Sequence, residues 1–238
     1  MSSVPPPGSG YPPPPPPPPQ GPPPVMPSGP GLAWETQAIG PESFIDTAKL
    51  FVTAPDQAWA RARETGDYTR PLLFALIVGW VGAIFKAVWG TMFGAGIYKM
   101  IPLEYQRYAM MGSGRGLVAS VILAPIFIVC GLFIGAAILH LSFMIVGALT
   151  NSRSQFEGTF RIASYSTIAH VAYVIPFLGG LVALVWQVVL AVIGAQKLHK
   201  TTQGKAVAGV LLPVLLCCAC AAIGMIFAGA ALFRAFGR

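Results

Sequence analysis

Charged residues are scarce in this sequence. Only 10% of its 238 residues are Asp, Glu, Lys or Arg, whereas a soluble domain usually carries about 25%. Acidic residues are the rarer kind, with eight in all, and six of them precede Pro71. Because no predicted membrane span contains a carboxylate, the sequence counts against a proton- or cation-coupled transporter. The hydrophobic content of 55% predicts a chain that folds largely in lipid.

Histidine and cysteine are also few, and their spacing argues against an enzyme. The three histidines do not form the H-E-x-x-H pattern of a zinc protease. The four cysteines lie in apolar runs, without the second C-x-x-C pair and nearby histidines of a structural zinc site. Ser166 and His170 lie on adjacent turns of one predicted helix, which aims both side chains the same way and leaves no oxyanion donor. We therefore expect no catalytic activity, no metal and no cofactor.

The net charge of +7 does not indicate nucleic-acid binding. Most Lys and Arg residues flank apolar runs, where they anchor helix ends and set orientation in a bilayer. The lipid bilayer is therefore the expected partner, and both a monomer and a homo-oligomer fit the sequence.

Residues 1–32 form a proline-rich tail with an unbroken run at Pro12–Pro19. Such a segment predicts an extended, disordered spacer without a core. The functional alternative is a docking site for a protein partner with an aromatic groove, such as an SH3 or WW domain. The tail has no apolar signal-peptide core, so the first span is expected to act as the insertion signal.

Residues 33–70 predict short amphipathic helices on the cytosolic side. Phe44, Ala48 and Phe51 share one helical face, and Trp59 falls on the apolar side of the next helix. Two placements remain open for these helices: on the membrane surface, or packed against the membrane domain.

Residues 71–238 predict an all-α, polytopic membrane domain of about five transmembrane helices. About 35 uncharged residues separate Arg161 from Lys197. One helix of that length would reach roughly 52 Å, against a hydrocarbon core of about 30 Å. Pro176 and the following glycine pair predict a turn between two arms, which gives a transmembrane or re-entrant hairpin. The predicted spans are 72–98, 117–149, 160–177, 181–196 and 206–233.

Basic residues set the predicted orientation. With the amino end in the cytoplasm, the basic residues counted near the spans are eight on the cytoplasmic side and five on the far side. The eight are Arg61, Arg63, Arg70, Arg153, Arg161, Lys197, Lys200 and Lys205. The sequence therefore favours a cytoplasmic amino terminus.

A set of polar residues within the predicted spans forms a candidate intramembrane face. Thr159, Ser166 and Tyr173 follow helical spacing on the first arm of the hairpin. The residues of such a stripe either form hydrogen bonds between helices or line a cavity for a small solute or lipid headgroup. Two placements are open for Lys86: its side chain faces the helix bundle, or it snorkels to the lipid headgroups. The candidate residues are Lys86, His140, Ser166, His170, Tyr173 and Gln187.

Between Trp34 and Pro213 the sequence resembles the Yip family, named for Ypt/Rab-interacting proteins, and in particular its bacterial members. The resemblance rests on an ordered set of short segments. These are Ala33-Trp34-Glu35, Arg70-Pro71-Leu72-Leu73-Phe74-Ala75-Leu76, Gly158-Thr159-Phe160-Arg161-Ile162-Ala163-Ser164-Tyr165-Ser166, Ile175-Pro176 with Gly179, Trp186-Gln187, Ile193-Gly194, His199, Lys205-Ala206 and Leu212-Pro213.

The resemblance implies a five-span helical protein of the bacterial cytoplasmic membrane with its amino end in the cytosol. Eukaryotic members associate with Rab GTPases in vesicle traffic and carry an Asp-Leu-Tyr-Gly-Pro motif. Here the corresponding segment reads Asp67-Tyr68-Thr69-Arg70-Pro71, so fold and location are implied rather than trafficking. We expect a non-enzymatic scaffold, adaptor or membrane-organising protein. The alternative is a small-solute or lipid transporter or channel with a polar cavity between its helices.

Overall fold

The computed structural model describes residues 30–98 and 115–236, and within these ranges all regular structure is helical. Nearly all of the predicted disordered tail lies outside the described residues. The α-helices are α1 (Ala33–Thr36), α2 (Pro41–Thr53), α3 (Pro55–Arg61), α4 (Thr69–Tyr98), α5 (Arg115–Ile145), α6 (Gln155–Ser166), α7 (Gly179–Leu198) and α8 (Gln203–Phe236), and a 3₁₀ helix (Thr167–Val174) follows α6.

Four helices are long and apolar enough to cross a bilayer: Thr69–Phe93 of α4, Val121–Ile145 of α5, Gly179–Leu198 of α7 and Gln203–Ile226 of α8. Their outer surfaces expose large apolar side chains, including Phe127, Leu181 and Leu215. Helices that are apolar on all sides are typical of membrane spans.

The predicted span 160–177 is not one continuous α-helix. It is α6 up to Ser166 and the 3₁₀ helix from Thr167. The Thr167 hydroxyl donates a 2.6 Å hydrogen bond to the Ser164 carbonyl three residues back. A side chain that bonds to the backbone of the preceding turn competes with the α-helical pattern, and 3₁₀ geometry joins residues three apart. The described part of the chain therefore has four span-length helices rather than five.

A glycine turn separates the 3₁₀ helix from α7. A Cβ atom at Gly179 would collide with the Ala172 carbonyl oxygen and lie 3.0 Å from Tyr173 Cα. Pro176 precedes this close approach, and Phe177 has a φ of +61°. The turn predicted from Pro176 and the glycine pair is thus present, and α7 starts at Gly179 rather than at residue 181.

The predicted span 117–149 ends too late, because α5 stops at Ile145. Gly147 adopts a φ of +65°. Its amide donates to Met144 O at 3.1 Å, and the Ala148 amide donates to Phe143 O at 2.8 Å. This pair of bonds is the Schellman motif, which closes a helix with a left-handed glycine.

Helices α1 to α3 pack against the membrane domain through buried aromatic rings. The Phe51 ring stacks on Tyr165 of α6 at 5.4 Å between centroids. Trp59 lies against α7, where a Cβ atom at Gly194 would come within 2.9 Å of the indole. Trp34 contacts Phe74 of α4 at 6.3 Å. Of the two placements open from the sequence, the structure shows packing on the membrane domain.

A buried ion pair joins these helices to α6. Arg161 Nη1 donates to Glu35 Oε1 at 2.7 Å, and both side chains are only 2% exposed. The same carboxylate accepts a 3.0 Å bond from the Tyr165 hydroxyl, and its other oxygen accepts from the backbone amides of Leu32 and Arg63 at 3.1 and 3.0 Å. The Glu35 carboxylate is therefore fully hydrogen-bonded inside the protein.

Arg161 is equally well satisfied. Its Nη2 donates to the Asp67 carbonyl at 2.9 Å and to Glu157 Oε1 at 3.1 Å. Loss of Arg161 would leave the Glu35 carboxylate buried without a counter-ion. Loss of Glu35 would leave Arg161 with the more exposed Glu157 as its remaining carboxylate partner.

Replacement of Glu35 by Ala should lower the free energy of unfolding by about 3 kcal/mol. It removes the buried acceptor of Arg161 Nη1 and leaves the more exposed Glu157 as the remaining carboxylate beside the guanidinium. Thermal or denaturant unfolding of the purified protein in detergent micelles measures this loss.

Asp56→Ala is the matched control. It breaks the 2.9 Å pair of Asp56 with Lys197, whose side chains are 72% and 38% exposed. An exposed pair contributes about 0–1 kcal/mol. Equal losses in the two variants would contradict the special role of the buried pair.

Candidate functional site

The spans and the 3₁₀ helix surround a partly open cavity of about 880 Å³. This volume is within the range of about 300–1,000 Å³ that is usual for small-molecule sites. Most of the wall is apolar, with Ile128 and Leu132 of α5 and Val214 of α8 among its residues. The space exists partly because Gly131 and Gly135 of α5 line it, since a Cβ atom at either position would meet nothing within 4 Å.

Five of the six candidate residues predicted from the sequence lie on the cavity wall. They come from three segments, which are α4, the α6–3₁₀ segment and α7. These residues are Lys86, Ser166, His170, Tyr173 and Gln187.

Lys86 points toward the 3₁₀ helix. Its amine lies 3.9 Å from the centroid of the Tyr173 ring, which is cation–π geometry. The His170 ring stacks on the same Tyr173 ring, with 5.0 Å between the ring centroids and 25° between the ring planes. The Lys86 side chain is nevertheless exposed, so both placements considered for this lysine stay predictions.

Gly82 brings α4 and the 3₁₀ helix close enough for this arrangement. A Cβ atom at Gly82 would lie 2.9 Å from the Tyr173 ring and 3.3 Å from His170 Cβ. Trp89 adds a hydrogen bond from its indole nitrogen to the Tyr173 carbonyl at 2.9 Å. These contacts fix the position of both rings at the cavity wall.

The charged group of the cavity lies toward one end. Lys86 lies 17 residues beyond Thr69, or roughly 25 Å along α4. Tyr173 is close to the turn that precedes Gly179. The rest of the wall is largely apolar, with residues such as Ala191 and Val210, and includes the hydroxyl residues Ser166 and Thr167.

Ser166 lines the cavity, but its hydroxyl is buried within the wall. The residue is 1% exposed, and its hydroxyl has no hydrogen-bond partner among the described residues. A buried hydroxyl without a partner costs free energy.

His140 does not line this cavity, but it meets the polar stripe at Thr159. Its Nδ1 lies 3.0 Å from the Thr159 hydroxyl, and Thr159 in turn contacts His199 Nε2 at 3.0 Å. His199 Nδ1 lies 2.7 Å from the Ser152 hydroxyl. These four residues form a hydrogen-bonded chain that ties α5 and α6 to the end of α7.

Sequence reasoning missed the structural roles of Glu35, Arg161 and His199. The one signal for Arg161 was its position as the charge that opens a long apolar run. Its partner Glu35 is 126 residues away in sequence, so neither periodicity nor spacing joins them. Among the described residues, no group of three His, Cys, Asp or Glu side chains could hold a metal ion.

The long apolar helices and their exposed apolar surfaces define an integral, multi-pass α-helical membrane protein. The family model of the Yip1 domain matches residues 49–225, which is well over half of the 238-residue chain. The chain therefore belongs to the Yip1 domain family. No curated protein and no solved structure showed significant similarity to it.

His199 should make stability depend on pH. It is fully buried, and burial together with the nearby His140 lowers its pKa from 6.5 to about 4. Between these values the unfolded chain binds more protons than the folded one, so stability falls as pH drops from 6.5 to 4. The loss contributed by this residue should reach about 3 kcal/mol.

His199→Gln provides the comparison, because an amide keeps hydrogen-bonding capacity without titrating in this range. Unfolding of both proteins across this pH interval measures the effect. We expect a flatter pH dependence in the variant, and an unchanged slope would contradict the assignment.

Proposed function

We propose that this Yip1-domain protein is a non-enzymatic membrane protein that binds a lipid-like amphiphile in the cavity between its helices. The observation that carries the proposal is the cavity itself, which combines a long, largely apolar wall with the Lys86 amine toward one end. Apolar pockets with a few convergent polar groups are the usual form of small-molecule sites. Binding of such a molecule would serve the membrane-organising role that we infer for the protein.

The cavity supports binding better than transport of a small polar solute. Among the described residues, its wall is largely apolar, which favours an amphiphile over a small polar solute. None of the wall residues in the described ranges is a carboxylate, and coupled transporters usually need an intramembrane acid.

The proposal of a non-enzymatic role is supported by the state of Ser166. A hydrolase would pair this hydroxyl with a base such as His170. The hydroxyl has no partner among the described residues, and the His170 ring stacks on Tyr173 instead.

An adaptor role for the proline-rich tail is the second candidate function. It rests on the Pro12–Pro19 run, whose polyproline II form suits aromatic-groove domains. The two roles are compatible, since the tail would recruit a protein partner while the cavity holds an amphiphile.

We also propose that the α6–3₁₀ segment makes a fifth crossing, with the amino terminus in the cytoplasm of a bacterial cell. Arg161 bonds to Asp67, just before α4 begins, whereas Tyr173 bonds to Trp89 toward the other end of α4. The segment therefore runs alongside most of this span. The excess of basic residues on the side of the amino terminus supports the orientation.

Gly135→Leu tests the proposed function, because the new side chain would fill the cavity without meeting neighbouring atoms at Cβ. The probe is a monoacylglycerol that carries a photoactivatable diazirine, added to the protein in nanodiscs. Labelling of cavity residues, mapped by mass spectrometry, should fall roughly tenfold in the variant, equivalent to about 1.4 kcal/mol.

Gly224→Leu is the matched control, since Gly224 also has open space at Cβ but is not on the cavity wall. Its labelling pattern should equal that of the unmodified protein. Labelling spread evenly over lipid-facing residues in all three proteins would contradict the proposal.

A further inference from the structure

Lys86 is the charged residue on the cavity wall. The acids of the described residues either precede α4 or, in the case of Glu157, lie in the first turn of α6. None forms an ion pair with Lys86 within the ranges 30–98 and 115–236; the basic partners in the pairs observed there are Arg161, Lys197 and Lys200. The Lys86 amine is therefore a cation without a counter-ion in the described part of the chain.

The Tyr173 ring does not remove this charge. A cation–π contact at 3.9 Å attracts the ammonium through the ring quadrupole, but it supplies no negative charge. A charged side chain within a span is costly unless it is paired or reaches water. The amine is held at the cavity wall, where an anion inside the cavity could neutralise it.

We propose that the occupant of this cavity is an acyl chain with an anionic head, either a carboxylate or a phosphate, and that Lys86 binds the head. The inference rests on the proposed function and names its ligand class. The acyl chain lies along the apolar wall toward Ala191 and Val210, and the head lies beside Lys86 and the Tyr173 ring. Charge complementarity selects anionic over neutral amphiphiles, and hydrogen bonds to charged groups are the stronger kind.

The experiment measures dissociation constants for three probes with matched oleoyl chains: oleate, oleoyl lysophosphatidic acid and neutral monoolein. The full-length protein is reconstituted in nanodiscs of zwitterionic lipid. Lys86→Met removes the charge and keeps the chain length, and Lys86→Arg restores the charge. Lys49→Met, at an exposed position of α2 outside the cavity, controls for the lost net charge.

We expect Lys86→Met to weaken binding of at least one anionic probe by about tenfold to a hundredfold, with monoolein affinity unchanged. Lys86→Arg should recover most of the affinity, and Lys49→Met should behave as the unmodified protein. The carboxylate and phosphate arms then identify the head group that is preferred.

Two failures are distinguishable. Equal affinity for anionic and neutral probes, unaffected by Lys86→Met, would overturn the anionic-head inference and leave the proposed function standing. Failure of all three probes to bind the unmodified protein would overturn both.

Discussion

The buried pair of Glu35 and Arg161 is the constraint on which the rest of the structure depends. Two opposite charges that are 2% exposed must stay together, because separation would leave the Glu35 carboxylate buried without a counter-ion and would deprive Arg161 of its most buried partner. Their contact fixes the N-terminal helices on α6 and, through the Asp67 carbonyl, fixes α6 at the beginning of α4. Helices α1 to α3 and the membrane-spanning helices are therefore packed together as one unit.

The cavity follows from how the chain continues after this anchor. α6 gives way to a 3₁₀ helix at Thr167, and Gly82 lets that helix approach α4 closely enough to place His170 and Tyr173 on the wall. On the opposite side, Gly135 contributes no side chain. Gly82 allows two helices to approach closely, and Gly135 leaves open space on the cavity wall. Together they leave room for an amphiphile between the helices.

The membrane-spanning helices could mostly be predicted from the sequence, because a long uncharged run has few alternatives to a helix that spans the bilayer. Prediction of helix ends from the sequence failed where local hydrogen bonds determine them. At Gly147 a Schellman motif ends α5 early. At Thr167 the α-helix gives way to a 3₁₀ helix. Ser166 and Tyr173, which helical spacing places on one face, both line the cavity. Periodicity could not pair Arg161 with Glu35, because that contact depends on tertiary packing.

Hydrogen–deuterium exchange of the full-length protein in nanodiscs tests the central claim most directly. The amides of Leu32 and Arg63 donate to the Glu35 carboxylate, so their protection reports whether the buried pair holds the N-terminal helices in place. We expect peptides from residues 30–66 to exchange as slowly as peptides from α6. Exchange of those peptides at the rate of an unstructured chain, while α6 stays protected, would contradict the account.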